Sequence, residues 1–592
     1  MANQRAAVLL AGVCLLGCAV AAPIAAHADD CDDGEVSILV SPRAPTPGGR
    51  VRVLAASDVG AIGELAVTDG DGRVVSNAIE RLGGPPWSAV VTVDPALAGT
   101  HRVEATRDGA RVGCATFEVG GRAAKGFSGW NLATEALYSA WIEHLFDAPP
   151  TTSLSFDSLQ EVLLDPQRNL LHDHLGLGED GPNTLGQPPD CADMPYALRA
   201  YFGWKLGLPV AYRGCSRGTS SKPPSCGSVK TATPSTGSDA RGWYARAATE
   251  VMNTVHSGSA RTSLADEATD FYPVALTRDA LRPGTVYADP YGHTLMIVQW
   301  VAQTPDRGGV LLAVDAQPDN SVARKRFWEG TFLFADDVAS AGPGFKAFRP
   351  LVRTSGGALA PLSNGALRDD PRFAPFSLEQ ATLDPDAFYA RVQRLINPDG
   401  LRPAQAYADT LDALVEQLQT RVDSVQRGEA YVRAHPRETI GMPEGLAIFE
   451  TIGPWEDYAT PSRDLRLLIA MKVLLGLPGR IVEHPELFLL DGAAPRAAAA
   501  AVEQAHASTV EERVIEYTRT DGSVQRLTVG EILARKPALE MAYNPNDCVE
   551  VRWGAPEGSP ERSTCRRSAP PEQRARMASY RSWFREGRRP SR

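Results

Sequence analysis

The sequence has no excess of positive charge, no second long apolar run and few cysteines, and each shortage removes a class of protein. Lys and Arg number 60 against 71 Asp and Glu, a formal net charge of −11, which excludes a nucleic-acid binder driven by bulk charge. Past the first residues no stretch reaches about 18 apolar residues free of charge, so nothing later in the chain is expected to span a bilayer. There is no phosphate-cradling glycine loop and no zinc-spaced cysteine pair, and no cofactor or metal is expected. Nine cysteines in 592 residues are too few for a disulfide-dense scaffold, and an odd count leaves at least one thiol without an internal partner. Hydrophobic residues at 43% and charged residues at 22% are the balance of a globular protein. The chain is too long for one core, and roughly three or four units are expected.

What is present begins with an address. Arg5 is followed by an apolar run from Ala6 to Ala22, ended by Pro23, and Ala26-His27-Ala28 supplies a small-x-small cleavage pattern. This predicts a signal peptide over 1–28 and export to a periplasmic or extracellular compartment. A second reading is open: Leu15-Leu16-Gly17-Cys18 resembles a bacterial lipobox, and Cys18 would then be lipidated and tie the protein to a membrane.

Cleavage after Ala28 removes Cys14 and Cys18. Of the rest, Cys215 and Cys226 bracket a Ser/Pro/Gly loop, Cys548 and Cys565 bracket a polar stretch, and Cys31 and Cys114 sit at the ends of one strand-rich segment. Pairing neighbours in an oxidising compartment predicts three disulfides. By chain entropy the short bridges would each stabilise by about 3 kcal/mol and the long one by about 4–5 kcal/mol. Cys191 is the remainder.

The predicted fold is multidomain. Residues 29–120 alternate apolar and polar in short runs, as in Val51-Arg52-Val53-Leu54 and Ser88-Ala89-Val90-Val91-Thr92-Val93, separated by turns such as Asp69-Gly70-Asp71-Gly72. Seven or so short strands in this length read as an immunoglobulin-like β-sandwich. Helical spacing then appears at Leu137 to Phe146 and Leu159 to Leu164, and strand-like runs at Thr294 to Ala302, Val310 to Val314 and Phe327 to Phe334, giving a mixed α+β domain over 125–350. Residues 360–545 read as mainly helical: Ala404 to Val425 and Asp464 to Leu475 keep helical spacing, the second ending in Gly476-Leu477-Pro478. A basic tail, 546–592, holds ten Arg against two Glu from Arg562 onwards. It could touch anionic envelope polymers, although a solvated tail is the simpler reading.

The segment from Pro189 to Pro209 reads as a helix with marked ends: Asp190 to cap it, with Asp193 like the acidic member of a capping box, and Gly207 with Pro209 to stop it. Cys191 lies at or just before its N-terminus, where unsatisfied N–H groups and the helix dipole favour a thiolate. A thiolate nucleophile needs a base, and His293 opens a strand just after Gly292. That strand turns at Thr304 to Gly309 and returns through Asp315-Ala316-Gln317. Hairpin arithmetic places about 317 to 319 opposite His293, so Gln317 is the geometric favourite for the orienting group and Asp315 the close second.

Asp-Cys-Ala opening a helix, then Arg282-Pro283-Gly284-Thr285 and Gly292-His293-Thr294 with Ile297 on a strand, resemble the NlpC/P60 branch of the papain-like thiol hydrolases. The resemblance implies Cys191 as nucleophile, His293 as general base and a polar residue on the next strand to orient it. It implies amide cleavage in peptidoglycan or in an envelope protein. The helix with Gly207-Leu208-Pro209 and a strand from Val210 to Arg213 also looks like the transglutaminase-like branch, whose third residue is an Asp, which would promote Asp315. The separation of Cys191 from His293 exceeds that of the usual compact domain, so the stretch from Cys215 to Gly242 is expected to be a surface insertion.

Other signals rank lower. His172-Asp173-His174 has no further metal ligand marked nearby, and Gln187, four residues before Cys191, is a lower-ranked oxyanion donor. A non-catalytic envelope scaffold or adhesion protein, its hydrolase-like domain kept for binding, is the alternative from a different class.

Overall fold

The computed structural model describes residues 31, 34–124, 126–219, 221–235, 239–317, 319–335 and 342–590. The cleavage site at Ala28 and the lipobox cysteine Cys18 lie outside these residues. Among the described residues no helix is long and apolar enough to cross a membrane.

The N-terminal unit is a pair of four-stranded antiparallel sheets. Strands β1 (Val36–Ser41), β2 (Val51–Ser57), β3 (Glu64–Thr68), β4 (Val74–Ser76), β5 (Ile79–Leu82), β6 (Trp87–Val93), β7 (Gly99–Arg107) and β8 (Ala110–Val119) pair in the orders β1-β2-β6-β5 and β4-β3-β7-β8. Val51, Val53 and Ala55 of β2 point between the sheets with Val67, Val91 and Val103. Leu54 and Ala56, on the opposite face by strand alternation, join Leu39 and Val90 in the core of the next unit. The first sheet is therefore apolar on both faces because it packs on both.

The central unit is mixed. A seven-stranded antiparallel sheet runs β12-β17-β13-β14-β15-β16-β9. Its strands are β9 (Ser155–Phe156), β12 (Phe271–Pro273), β13 (Val286–Ala288), β14 (Thr294–Val301), β15 (Val310–Ala316), β16 (Val322–Arg326) and β17 (Gly344–Phe348). A small pair, β10 (Val210–Tyr212) and β11 (Lys230–Ala232), stands apart from it. One face, with Met296, Val298, Leu312 and Val314, is covered by α1 (Leu132–Leu145), α2 (Leu159–Leu164), α3 (Met194–Leu206) and α4 (Trp243–Met252). The other face, with Leu295, Ile297, Leu311 and Ala313, packs against Phe332, Phe334 and α5 (Pro385–Ile396). The run from Phe327 to Phe334, expected as a strand, is a turn: Phe327, Phe332 and Phe334 fill that second core, and the polar Val322–Arg326 takes the place in the sheet.

Helix α3 is buried along its whole length, so its two charges are satisfied internally. Lys205 Nζ lies 2.5 Å from both Glu179 and Asp180. Arg199 grips Glu135 with two nitrogens and lies over the Trp130 ring, 3.2 Å from its centroid. Gly207 ends the helix in the left-handed region, φ 75°.

The C-terminal region is mainly helical: α6 (Pro403–Ala434), α7 (Pro461–Glu483), α8 (Pro495–Glu512) and α9 (Pro571–Glu586), with a hairpin of β18 (Val514–Thr518) and β19 (Val524–Thr528). Arg421 on α6 grips Asp464 on α7 through two 2.9 Å bonds, both groups buried. Helix α7 does not stop at Gly476-Leu477-Pro478 but continues to Glu483. Pro478 forfeits one helical N–H, while Leu477 and Ile481 are buried on the core side and hold the last turns in place. The basic tail is not a loose solvated segment either. It folds as α9, and Arg574, Arg581 and Arg585 pair with Asp547 and Glu540 of the same chain.

The three predicted disulfides, Cys31–Cys114, Cys215–Cys226 and Cys548–Cys565, are present, and Cys191 is free.

Candidate active site

Cys191 is placed by the start of α3. Asp190 Oδ1 accepts hydrogen bonds from the N–H groups of Ala192, at 2.8 Å, and Asp193, at 3.0 Å, and the Asp190 carbonyl accepts from Met194. Asp190 thus caps the turn as expected, and Cys191 is its first residue. Pro195 has no N–H to return to the Cys191 carbonyl, so the turn there stays open and regular helix begins at Met194.

His293 is delivered by a tight turn. Asp289 accepts the Tyr291 N–H on its side chain at 2.7 Å and the Gly292 N–H on its carbonyl, while its own N–H bonds the His293 carbonyl. Gly292, at φ 94°, occupies a conformation that a side chain would strain. The backbone N–H of the next residue, Thr294, lies near enough to Cys191 to favour its ionised form. Helix start and strand start therefore meet at this point.

The orienting group is Asp315, whose Oδ2 receives both His293 Nε2 and Lys325 Nζ, the latter at 2.5 Å. Strand register explains the choice. From Val301↔Val310 the ladder runs regularly to Gln299↔Leu312, then shifts by one residue to Ile297↔Ala313 and Met296↔Val314. Without this bulge at Val298, position 293 would lie across from 318, and Asp315 would point to the opposite face. With it, Gln317 stands opposite His293 and Asp315 is the diagonal neighbour, a spacing that long side chains bridge. Gln317, the geometric favourite, does not hold the ring: its backbone closes the turn to Ser321 and Asn320, and its Nε2 is buried without a partner.

Burial raises the Asp315 carboxyl, but Lys325 and His293 outweigh it and hold the group well below the usual carboxylate range. An ionised Asp315 can only accept. His293 Nε2 therefore carries the hydrogen, and Nδ1 keeps the lone pair. Burial also lowers the pKa of His293 below the ordinary value, with Asp315 opposing. The Cys191 thiol is pushed up, first by burial and then by the Asp190 carboxylate, with the Thr294 N–H opposing. The thiolate expected from the helix terminus is thus not favoured, because the capping carboxylate and the surrounding burial outweigh the dipole. At rest the cysteine is a neutral thiol and the histidine a neutral imidazole.

The C-terminal region closes over this centre. Arg466 of α7 bonds the fully buried Asp289 at 2.5 Å, and Arg589, just beyond α9, donates to the Tyr291 carbonyl at 2.9 Å and to Ser462 at 3.0 Å. Glu456 is pushed up to about 7 by burial and then by Asp457 and Asp190, and Asp193 up to about 8 by burial and Asp190. Lys325, Asp289, Arg466 and Glu456 were not singled out from the sequence. Lys325 had a signal in the period-two position that puts it on the Asp315 face, whereas the others depend on long-range packing with no local mark.

The remaining candidates fall elsewhere. Gln187 is exposed. His172, Asp173 and Asp180 bring one donor atom each within 4.8 Å of one another. The two carboxylates there already accept each other's backbone N–H groups, and Asp180 pairs with Lys205. His174 is buried against Ser41 of the N-terminal unit.

Compared with protein-family models, curated proteins and solved structures, the chain matches none.

Proposed function

We propose that this chain is an exported papain-like thiol hydrolase that cleaves an amide bond through an acyl-enzyme on Cys191. The observation that carries the reading is the bond between Asp315 and His293 Nε2, which leaves Nδ1 as a base on the residue next to Thr294, whose N–H lies near Cys191.

In the first half-reaction the Cys191 S–H proton passes to His293 Nδ1 as the sulfur attacks the amide carbonyl carbon. The C–N bond then breaks, and the imidazolium returns the proton to the leaving amine. In the second, His293 takes a proton from water, the hydroxide attacks the thioester, the C–S bond breaks and Cys191 is reprotonated. Asp315 stays ionised throughout and stabilises the imidazolium. Proton transfer and attack proceed together, since burial and Asp190 disfavour a free thiolate. The Thr294 N–H, which favours the ionised form of Cys191, stabilises charge as it develops on the sulfur.

Peptidoglycan is the proposed substrate, and the three disulfides accord with export to the compartment that holds it. The N-terminal sheets are read as an immunoglobulin-like spacer. Purified peptidoglycan incubated with wild type and with Cys191→Ala tests the assignment: new muropeptides are expected with wild type alone, and identical profiles would remove it. Because the third residue is an Asp rather than Gln317, transfer of the acyl group to an amine, as in the transglutaminase-like branch, is a second reading. Incorporation of a labelled primary amine at the expense of the free acid distinguishes it from hydrolysis.

A further inference from the structure

The turn that delivers His293 does not satisfy its own backbone. Within it the Gly292 N–H reaches the Asp289 carbonyl at 3.1 Å, and the Asp289 N–H reaches the His293 carbonyl at 2.8 Å. The carbonyls of Pro290 and Tyr291 and one carboxylate oxygen of Asp289 take their donors from elsewhere, and each donor is an arginine. Arg261 of the central unit donates to the Pro290 carbonyl at 3.3 Å, Arg466 of α7 to Asp289 at 2.5 Å, and Arg589 to the Tyr291 carbonyl at 2.9 Å. Two of the three come from the C-terminal region.

Arg589 is held as firmly as the turn it holds. Its side chain is 6% exposed. The second terminal nitrogen donates to Ser462 Oγ at 3.0 Å, and the guanidinium lies over the rings of Tyr291 and Phe449, 5.1 and 4.7 Å from their centroids. Ser462 and Arg466 are four residues apart on α7 and so share a face. That face therefore meets the turn twice, directly through Arg466 and by way of Arg589. The bond from Arg589 falls on the peptide that joins Tyr291 to Gly292. Gly292, at φ 94°, places little steric limit on the rotation of that peptide, so hydrogen bonds fix its plane: the Asp289 carbonyl on the N–H side and Arg589 on the oxygen side. His293 is the next residue, and its ring leaves the backbone from the position this plane sets.

We propose that Arg589 is a positioning residue for the His293 base, which makes the C-terminal region a working part of the active site. The inference rests on the reading of Cys191 and His293 as nucleophile and base. The bonds of Arg589 go to the turn, Glu450 and Ser462, so it acts through the backbone that carries His293. A misplacement of about 1 Å at a reacting group costs on the order of 10²-fold in rate, while the binding of a small substrate that does not touch Arg589 is left as it was.

A small activated ester, p-nitrophenyl acetate, reads nucleophile and base whatever the natural substrate is. Release of p-nitrophenolate is followed for the full-length wild type, Cys191→Ala, His293→Ala, Arg589→Met and the double variant of the last two. Arg589→Met is expected to lower kcat by roughly 10- to 100-fold with KM within about twofold of wild type. Arg589→Lys, which can still donate to the Tyr291 carbonyl, should recover part of the loss. Because the effect passes through His293, Arg589→Met should add nothing to the loss caused by His293→Ala. Ser462→Ala strands no charge and carries the test if Arg589→Met does not fold: its kcat should fall by about two- to tenfold, the worth of one hydrogen bond, with an unchanged unfolding midpoint in denaturant. Wild-type kcat in Arg589→Met or, where that variant does not fold, in Ser462→Ala overturns the inference and leaves Cys191 and His293 in their roles. So does an equal loss from Arg589→Met on the native and His293→Ala backgrounds. Turnover by wild type no faster than by Cys191→Ala overturns the thiol-hydrolase reading, and the inference with it.

Discussion

Asp315 holds the Nε2 of His293 although Gln317 is the residue directly across the hairpin from it. The diagonal contact exists because a single extra residue, Val298, shifts the β14–β15 register by one and turns the side chain of Asp315 to the face that His293 uses. A carboxylate in this place fixes one tautomer of the ring, as an amide cannot, because an amide can donate as well as accept.

Replacing Asp315 should therefore cost far more than replacing Gln317. In Asp315→Asn the new side chain can donate to Nε2 and leave the hydrogen on Nδ1, the nitrogen that must accept. Turnover of a peptidoglycan-derived amide is expected to fall by a factor on the order of 10³–10⁴, whereas Gln317→Ala should stay within about threefold of wild type, as for a side chain that does not touch the reacting atoms. Equal losses in the two variants would assign the orienting role wrongly.

The pH dependence of Cys191 follows from the neutral resting pair. A preformed thiolate–imidazolium pair would react with iodoacetamide at a rate already level in mildly acidic solution. With the thiol raised by burial and by Asp190, the rate should instead keep rising into the alkaline range. Asp190→Asn removes the carboxylate that opposes ionisation, so the profile should move to lower pH and Cys191 should react faster at any fixed neutral pH. The rate–pH curves of the two proteins check both the position and the direction.

The chemistry-bearing residues were legible because they sit at local marks. Asp190 before Cys191 is a cap signal, His293 follows a glycine that the turn requires, and pairing of near neighbours yielded the three disulfides and the one remaining thiol. What was not legible depended on distant parts of the chain. No residue near Val298 announces a bulge, and that bulge decides between Asp315 and Gln317. The same Gly-Leu-Pro sequence ends α3, where Gly207 takes the left-handed conformation, but is carried inside α7, where Leu477 and Ile481 are buried in the helical core. The arginines after Arg562 looked like a free tail because their acids, Glu540 and Asp547 among them, are met only after the helices have packed.

Arg466 and Asp289 connect the C-terminal region to the turn that carries His293. Asp289 is fully buried, so Arg466→Met leaves a carboxylate without its cation and is expected to destabilise the protein by about 3–5 kcal/mol. Asp289→Asn on the same background removes that stranded charge and should recover a large part of the loss. Denaturant unfolding of wild type, both single variants and the double variant gives the coupling energy. Strict additivity would mean that the pair does not hold the two regions together.

Two histidines lie where the N-terminal sheets meet the central unit: His174 against Ser41 at 3.1 Å and His144 against Ser88 at 3.4 Å. Burial lowers both, to about 3 for His174 and about 4 for His144, from an ordinary value near 6.5. Between those limits the unfolded chain binds protons that the native chain refuses. The associated stability is present above about pH 6.5 and is lost as the pH falls, by up to about 1.4 kcal/mol per pH unit for each histidine. Glu143, buried and pushed up to about 8, acts in the opposite direction, so the informative quantity is a difference between two proteins. His174→Gln keeps a polar group for Ser41 and cannot take a proton. Its unfolding free energy should decline less steeply than that of wild type from pH 6.5 to about pH 4, and parallel curves would show that His174 is not excluded from charge in the native state.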